Sequence, residues 1–465
     1  MTWRFAPQPS SNLADSERFL AELDRHADFF DSSEPLWLGR ASGRLDLMGG
    51  VADYSGSLVL ELPLNVATWV AMQPAHDGWV TLYSTGAENF AEDPLVTFSL
   101  ADLQTNADVL DYAALHPLFT HNTRQAWAAY VAGVLVLLRK ERGLSLTQGV
   151  RIFVHSEVPA GKGVSSSASL EVATMQAANT LYDLRLEGRE LAILCQQVEN
   201  LIVGAPCGVM DQMTSACGVQ GSLLALLCQP AELQGHVKLP DEVEIWGIDS
   251  GIRHAVTGAD YGSVRVGAFM GYRIIADLAD LAVQQLADGK VQITDPLWHG
   301  FLANIAPSVW ETTYRERVPL EMDGATFLAR YGGTIDSVTR VDPAHVYAVR
   351  QPTAHPIYEH HRVQLFRALL TQRPMDEAHL CLLGELMYQS HASYSACGLG
   401  SAGTDRLVSL VRQAGPTASL YGAKVTGGGS GGTVAVLARR GARECIEHIV
   451  AQYKQETDVQ ASIIG

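Results

Sequence analysis

"VPAGKGVSSSASLEVA", residues 158–173, runs from the end of an apolar strand through two glycines and three serines into a helix. Glycine lets the backbone approach a ligand closely and adopt positive φ. A helix start offers unpaired N–H groups and the positive end of the macrodipole. The serine hydroxyls add donors, and one of them could serve as a magnesium ligand. Together these features describe a cradle for phosphate. It is not a Walker A loop, because the GK[ST] ending is absent. A solvated strand-to-helix turn with a serine N-cap is the plain alternative, and at this point both readings stand.

Outward from this loop, Val150 to Val158 reads as its strand and residues 167–182 as its helix. Upstream, residues 13–30 read as a helix, Leu58 to Met72 as a pair of strands interrupted by Pro63, Trp79 to Ser84 as a strand and Ala126 to Arg139 as an apolar helix. Downstream, Leu191, Leu194, Cys195, Val198 and Ile202 recur at helical spacing, which predicts an amphipathic helix over 188–203. "SLLALLC" and "VEIWGIDSG" read as strands separated by a polar connection, and 262–288 as a helix. Residues 290–362 carry several prolines and yield no assignment. A helix near 404–413, a glycine-rich loop, the strand "TVAVLA" and a final helix close the chain. Strands and helices mix without a βαβ rhythm, which points to α+β, with a boundary near 225–240.

The chain has 465 residues, enough for two or three domains. It is 47% hydrophobic and 18% charged, as in a compact globular protein. A formal net charge of −17 disfavours nucleic acid and anionic membranes, which need clustered Lys and Arg. The seven cysteines include no CxxC pair, so neither a disulfide framework nor a zinc site is suggested, and a reducing cytosol fits. The first residues lack an apolar core of signal-peptide length, and no apolar run is long enough to cross a bilayer.

Three further stretches place polar groups beside glycines. "GRLDLMGGVADYSG", residues 43–56, mixes an arginine, two aspartates and a tyrosine with four glycines, as in a tight turn or a pocket wall. "KVTGGGSGGTVAVL", residues 424–437, packs five glycines around Ser430 ahead of a strand. A hinge does not need that density, so close approach to a ligand or a neighbouring loop is expected. In "ENLIVGAPCGVMDQMTSACG", residues 199–218, Glu199 lies at the edge of the apolar stripe, and Asp211 opens a helix after Pro206 and Gly208. Cys207 and Cys217 read as core or loop thiols.

These glycine-rich stretches resemble, in order, the three signature motifs of the GHMP small-molecule kinases. The spacing from Glu199 through "PCGVMDQ" resembles the galactokinase branch. "GRLDLMGGVADYSGSLVL", "VENLIVGAPCGVMDQMTS", "WGIDSGIRHAVTGADYGSVRVGA" and "YSACGLGSAGTDRLV" are most similar to the L-arabinokinases within it. The resemblance runs over nearly the whole chain. It implies an α+β, two-domain GHMP kinase fold, with a ribosomal-protein-like N-terminal domain over 1–230 and a ferredoxin-like C-terminal domain over 231–465. The N-terminal domain would carry the phosphate loop and the sugar and ATP sites.

The implied activity is ATP-dependent phosphorylation of the anomeric hydroxyl of L-arabinose, with ATP and Mg2+, in the cytoplasm. No nucleic acid, membrane or protein partner is implied. By resemblance, Arg44 lies beside the transferred phosphoryl group and Asp211 takes the proton from the sugar. An alternative is that both only fix the geometry while the proton leaves late. Ser167 and Glu199 match the magnesium ligands. Gly161, Gly163, Ser165, Ser166 and Ser167 match the phosphate loop, and Trp127 a tryptophan on the adenine side. Asp53, Gly208 and Tyr261 match residues that hold the sugar. Arg44 and Asp211 are expected to converge across a crevice with the triphosphate tail and the pyranose between them.

The departures are informative. Galactokinases hold a Glu–His pair at the positions of Gly50 and Val51, and the glutamate reaches the C6 hydroxyl. L-Arabinopyranose has the ring stereochemistry of D-galactose without that hydroxymethyl, so this stretch is expected to be a wall trimmed for a pentose. A buried hydroxyl left unpaired there costs roughly 1–3 kcal/mol. Ser42 replaces a common proline, and Lys162 in the phosphate loop is expected to point to solvent, with a phosphate contact as the alternative. The His360–His361 pair reads as structural. A galactokinase and a catalytically inactive sugar- and ATP-binding regulator are the rival readings.

Overall fold

A computed structural model describes residues 3–6, 14–90, 92–105, 108–109, 111–252, 259–286 and 289–464. The chain is α+β. Its larger sheet is organised by one long strand, Leu58–Ala75. One edge of that strand pairs antiparallel with Leu36–Met48. The other edge is divided: residues 58–61 pair with Ser222–Leu227, and residues 68–75 with Gly149–Ser156. Trp79–Ser84 and Leu95–Ser99 continue the sheet beyond Gly149–Ser156, and Phe5–Ala6 flanks Leu36–Met48.

Pro63 does not split this strand in two, contrary to the expectation. It falls in the interval between the two partners of the divided edge and lies opposite Arg44, beside a register shift. A missing N–H costs a sheet little at such a place.

The helices that follow reflect their sequences. Ala128–Arg142 is apolar almost all round, so it is buried against the sheet. It stops at Gly143, whose φ of 65° lets the backbone turn away after a basic last turn. Ser166–Leu181 lies on Leu36–Met48 at Gly39, where a Cβ would stand 1.9 Å from the Ala173 carbonyl oxygen. That contact admits only glycine and fixes the height of the helix above the sheet.

The second sheet is antiparallel, ordered Leu420–Val425, Thr433–Arg439, Val243–Asp249, Ser462–Ile464. Ala402–Ala414 and Arg443–Thr457 bury their apolar faces on it. Leu47, Leu60 and Leu223 of the first sheet meet Leu383, Met387 and Leu437 of the second body in one continuous core.

Several segments differ from expectation. The polar connection after "SLLALLC" contains a strand, Glu232–Lys238, paired with Ser222–Leu227, so the larger sheet extends across position 230. The helix expected over 262–288 is Ala259–Leu278. It is followed by a hairpin of Ala282–Gln285 with Val291–Thr294, whose signal was the Asp-Gly pair at 288–289. Residues 287–288 lie outside the described residues, as do 253–258 of the "WGIDSGIRHAVTGADYGSVRVGA" stretch. The unassigned region 290–362 packs Trp298, Trp310, Tyr314, Phe327 and Tyr331 against Ala259–Leu278 and leads into the helix Arg350–Leu370. The helix expected over 188–203 is α-helical only through Gln197; Val198–Val203 is a π-helical turn, a form that often marks functional sites. Among the described residues, no helix is long and apolar enough to cross a membrane.

Candidate active site

Arg44 projects from Leu36–Met48 into a pocket where the two bodies meet, and only 2% of it is exposed. Its Nε and Nη2 donate to Asp211 Oδ1 at 3.0 and 2.8 Å, and Nη1 donates to the Gly163 carbonyl at 2.7 Å. Its Nε also lies 3.2 Å from Glu61 Oε2. Burial works against the guanidinium charge, but Asp211, Glu61 and Asp46 outweigh it and hold its pKa above the ordinary value. Asp211 stands in the first turn of the helix Met210–Cys217, where the macrodipole favours an anion. Arg44 and Asp211 therefore converge, but in direct contact. The expected arrangement, with substrate between them, is not what the structure shows: the two side chains hydrogen-bond to one another and both line the pocket.

The glycine-serine loop sits beside this pair. Gly161 and Gly163 have φ of 69° and 70°. Ser165 also adopts the left-handed conformation, a strained state for a non-glycine residue. Its side chain does not cap the helix Ser166–Leu181, and its buried Oγ has no hydrogen-bond partner among the described residues. The plain serine-cap reading therefore fails. The first-turn N–H groups of a 16-residue helix adjoin a pocket lined by Ser165, Ser166 and Ser167.

The third glycine stretch closes against this loop, which explains its density of glycine. A Cβ on Gly427 would lie 2.7 Å from the Gly163 oxygen, and one on Gly432 would lie 2.7 Å from the Lys162 oxygen. Thr433 Oγ1 donates to the same Lys162 carbonyl at 2.8 Å. Lys162 does not point to solvent as expected. Its Nζ pairs with Asp249 Oδ2 at 2.9 Å, tying the glycine-serine loop to the second sheet.

Glu199 lies in the π-helical turn with its carboxyl buried, 5% exposed. Burial, reinforced by Asp211, pushes its pKa up to about 7, against hydrogen bonds from Ser167, Cys207 and Gln212. Gln212 Nε2 bridges it to a second buried carboxyl, reaching Glu199 Oε2 at 2.6 Å and Glu171 Oε2 at 3.2 Å. Cys207 lines the pocket, and burial raises its thiol pKa well above normal, so the thiol stays protonated.

Asp53, in the same pocket, is 4% exposed, and its Oδ1 has no hydrogen-bond partner among the described residues. Burial and then Asp211 raise its pKa to about 6. Gly208 passes so close that a Cβ would stand 1.6 Å from Asp53 Oδ2. Tyr261 closes this side, its phenol kept protonated chiefly by burial.

Of the residues singled out from sequence, Arg44, Val51, Asp53, Gly161, Gly163, Ser165, Ser166, Ser167, Glu199, Gly208, Asp211 and Tyr261 line one pocket. Gly50 and Trp127 do not. Gly50 lies behind the wall, its N–H on Asp46 Oδ1 at 3.2 Å and its carbonyl 3.0 Å from His355 Nε2. Trp127 precedes the helix Ala128–Arg142 and is packed in the core, with Nε1 donating to the Asp93 carbonyl at 2.9 Å.

Sequence reasoning missed Glu61, Glu171, Gln212 and the Arg265–Asp336 pair. Arg265 binds Asp336 through two bonds of 2.8 Å and donates to the Cys207 carbonyl at 3.1 Å, so it holds the loop that carries Gly208. A single acid inside an apolar run, as in "LVLELPL" and "SASLEVA", was the available signal. His360 accepts the Leu58 N–H at Nδ1, the structural role expected of it.

Three protein-family models match this chain in order: the galactokinase galactose-binding signature over residues 24–74, the GHMP kinases N terminal domain over 129–219, and the GHMP kinases C terminal over 376–455. The chain belongs to the GHMP kinases. This GHMP kinase is 42% identical over 489 residues to an L-arabinokinase from Arabidopsis thaliana, an alignment covering 96% of this chain and 47% of that protein. The chain thus spans about half the length of that relative. It is 29% identical to a galactokinase from Chloroflexus aggregans, covering 91% of this chain and 89% of the other. Among solved structures, the Lactococcus lactis galactokinase complexed with galactose superposes with a TM-score of 0.72 at 20% identity, covering 96% of this GHMP kinase and 97% of that chain. The Methanococcus jannaschii mevalonate kinase superposes with a TM-score of 0.54 at 14% identity, covering 92% and 96%. These likenesses show the fold.

Proposed function

We propose that this GHMP kinase transfers the γ-phosphoryl group of ATP to the anomeric hydroxyl of L-arabinose, giving L-arabinose 1-phosphate and ADP. The observation that carries this reading is the Arg44–Asp211 contact at the mouth of a glycine-serine phosphate cradle. Both guanidinium bonds fall on Asp211 Oδ1, which leaves Oδ2 to accept the proton of the sugar hydroxyl. The deprotonated oxygen attacks the γ-phosphorus, the bond to the ADP oxygen breaks, and the charge leaves with ADP.

Phosphoryl transfer is chiefly positioning and charge stabilisation, and the residues present suit both tasks. Arg44 is permanently charged and oriented by Gly163 and Glu61. The first turn of Ser166–Leu181, with Ser165 and Ser166, receives phosphate oxygens. Asp53, with an unpartnered oxygen, and Tyr261 hold ring hydroxyls. The domain division follows the same reading, with the phosphate loop, base and sugar carboxylate in the N-terminal body.

Ser167 and Glu199 fit a magnesium ion: both line the pocket, both offer hard oxygen ligands, and they hydrogen-bond to one another. When bound with nucleotide, such an ion supplies positive charge to the phosphate oxygens. The seven free cysteines suit a reducing cytoplasm.

L-Arabinose is favoured because the pocket wall beside Asp53 is the apolar side chain of Val51. D-Galactose is the second reading, favoured by the match to the galactose-binding signature. A coupled ADP-release assay over a sugar panel tests both. A higher kcat/KM for D-galactose refutes the pentose assignment, and no sugar-dependent ADP release with any sugar refutes the kinase reading.

A further inference from the structure

Position 50 has no room for a side chain. A Cβ there would lie 2.0 Å from the Tyr394 hydroxyl oxygen and 2.2 Å from Asp46 Oδ2. Tyr394 is completely buried on the helix Glu377–Ala396. Its hydroxyl is 3.0 Å from both Asp46 Oδ2 and the Gly427 carbonyl. Lys424 Nζ reaches the same Asp46 Oδ2 at 2.7 Å and stands 5.1 Å from the centroid of the Tyr394 ring. Asp46 Oδ1 accepts the Gly50 N–H. Asp46, Lys424, the Tyr394 hydroxyl and the Gly50 N–H are thus engaged with one another.

In front of it, Val51 has φ of 59°, which is strained for a β-branched residue, and its side chain lines the pocket. It packs in one apolar cluster with Tyr394, Leu399 and Val425. The wall cannot retreat without displacing Tyr394, and it presents no hydrogen-bonding side chain.

D-Galactose differs from L-arabinopyranose by a hydroxymethyl group on C5. That group needs volume and a partner for its hydroxyl. We propose that Tyr394 is the positioning residue that sets sugar specificity: from the second body it holds Val51 forward and closes the pocket to a C5 substituent. The proposal rests on the L-arabinose reading above.

The test uses the full chain and compares kcat/KM for L-arabinose, D-galactose and D-fucose, which carries a methyl in place of the hydroxymethyl. Each hexose-to-arabinose ratio is independent of the fraction of folded enzyme, so a merely structural role leaves it unchanged. Tyr394→Ala is expected to raise the galactose ratio about tenfold and the fucose ratio at least as much, because fucose needs space without a polar partner. Tyr394→Phe keeps the ring and is expected to stay within about threefold of the parent. If Tyr394→Ala does not fold, Val51→Gly, which removes the wall directly and relaxes its backbone, must raise both ratios. Parallel loss on all three sugars in Tyr394→Ala, or unchanged ratios in Val51→Gly, overturns the proposal. A parent enzyme that prefers D-galactose overturns the substrate reading. A parent that prefers L-arabinose, with ratios that do not move, overturns only the role of Tyr394.

Discussion

Arg44 and Asp211, 167 residues apart in the chain, are joined by two bonds to one oxygen: Nε and Nη2 of the arginine reach Oδ1 of the aspartate at 3.0 and 2.8 Å. The pair links the strand Leu36–Met48 to the helix Met210–Cys217 at the pocket mouth. Its second carboxylate oxygen carries the proposed chemistry, while the first serves orientation.

Asp211→Asn preserves the shape and most of the hydrogen bonds but removes the proton acceptor. Sugar affinity, measured by calorimetric titration, is expected to stay within a few-fold, while kcat falls by about 10²–10⁴-fold. Near-normal turnover leaves the aspartate a geometric role, with late departure of the proton.

Arg44→Met removes the cation from Asp211 and from the fully buried Glu61, whose pKa burial and then Asp46 push well above the ordinary carboxylate range. Breaking a buried ion pair from one side costs about 3–5 kcal/mol, and urea unfolding should show a loss of that order. Adding Glu61→Gln to Arg44→Met is expected to recover part of the stability and none of the activity. Equal stability of the single and double variants would show that Glu61 is already neutral in the parent.

Asp53 provides a pH signature. Its pKa is raised from 3.8 to about 6, first by burial and then by Asp211. Between about pH 4 and 6 the native chain therefore binds more protons than the unfolded chain, so this group's contribution to stability falls as pH rises through that window. Asp53→Asn removes the slope. At pH 7.5 the variant should gain on the parent, relative to pH 4, by an amount on the order of 3 kcal/mol. In the parent, KM for the sugar should rise as pH falls below 6, because the protonated carboxyl accepts fewer hydrogen bonds. A stability difference between parent and variant that stays constant from pH 4 to 7.5 refutes the assigned shift.

Gly208→Ala places a methyl 1.6 Å from Asp53 Oδ2 in the unrelaxed geometry, so the carboxylate must move. Losing one charged hydrogen bond to the sugar costs about 1.5–3 kcal/mol, which corresponds to a KM rise of roughly 10- to 150-fold. KM for ATP should change little, since the added methyl meets Asp53 and not the proposed phosphate loop. Equal increases in both constants would mean that the whole pocket collapses.

Much of the glycine-serine loop's form was legible in one stretch of chain. Gly161, Gly163 and Ser165 to Ser167 are close neighbours on a loop whose flanking strand and helix have clear periods, so local chemistry implied the local structure. Residues 290–362 were illegible because their helices and short hairpins are stabilised by aromatic packing on Ala259–Leu278 rather than by amphipathic spacing. Trp127 shows the converse limit: matched by family pattern to the adenine side, it lies in the core on the Asp93 carbonyl.

From the chain alone came the α+β class, the order of the three glycine-rich stretches and the types of group that meet at the pocket. The class and the loops follow from short-range periodicity and glycine chemistry, which act within about ten residues, and the pocket groups from the resemblance to the GHMP kinases. Only the folded chain decided that Arg44 and Asp211 touch, that Lys162 turns to Asp249, and that Tyr394 occupies the space at Gly50. Buried charges and hydroxyls take the partners that close packing brings to them, and those partners lie 87, 167 and 344 residues away along the chain.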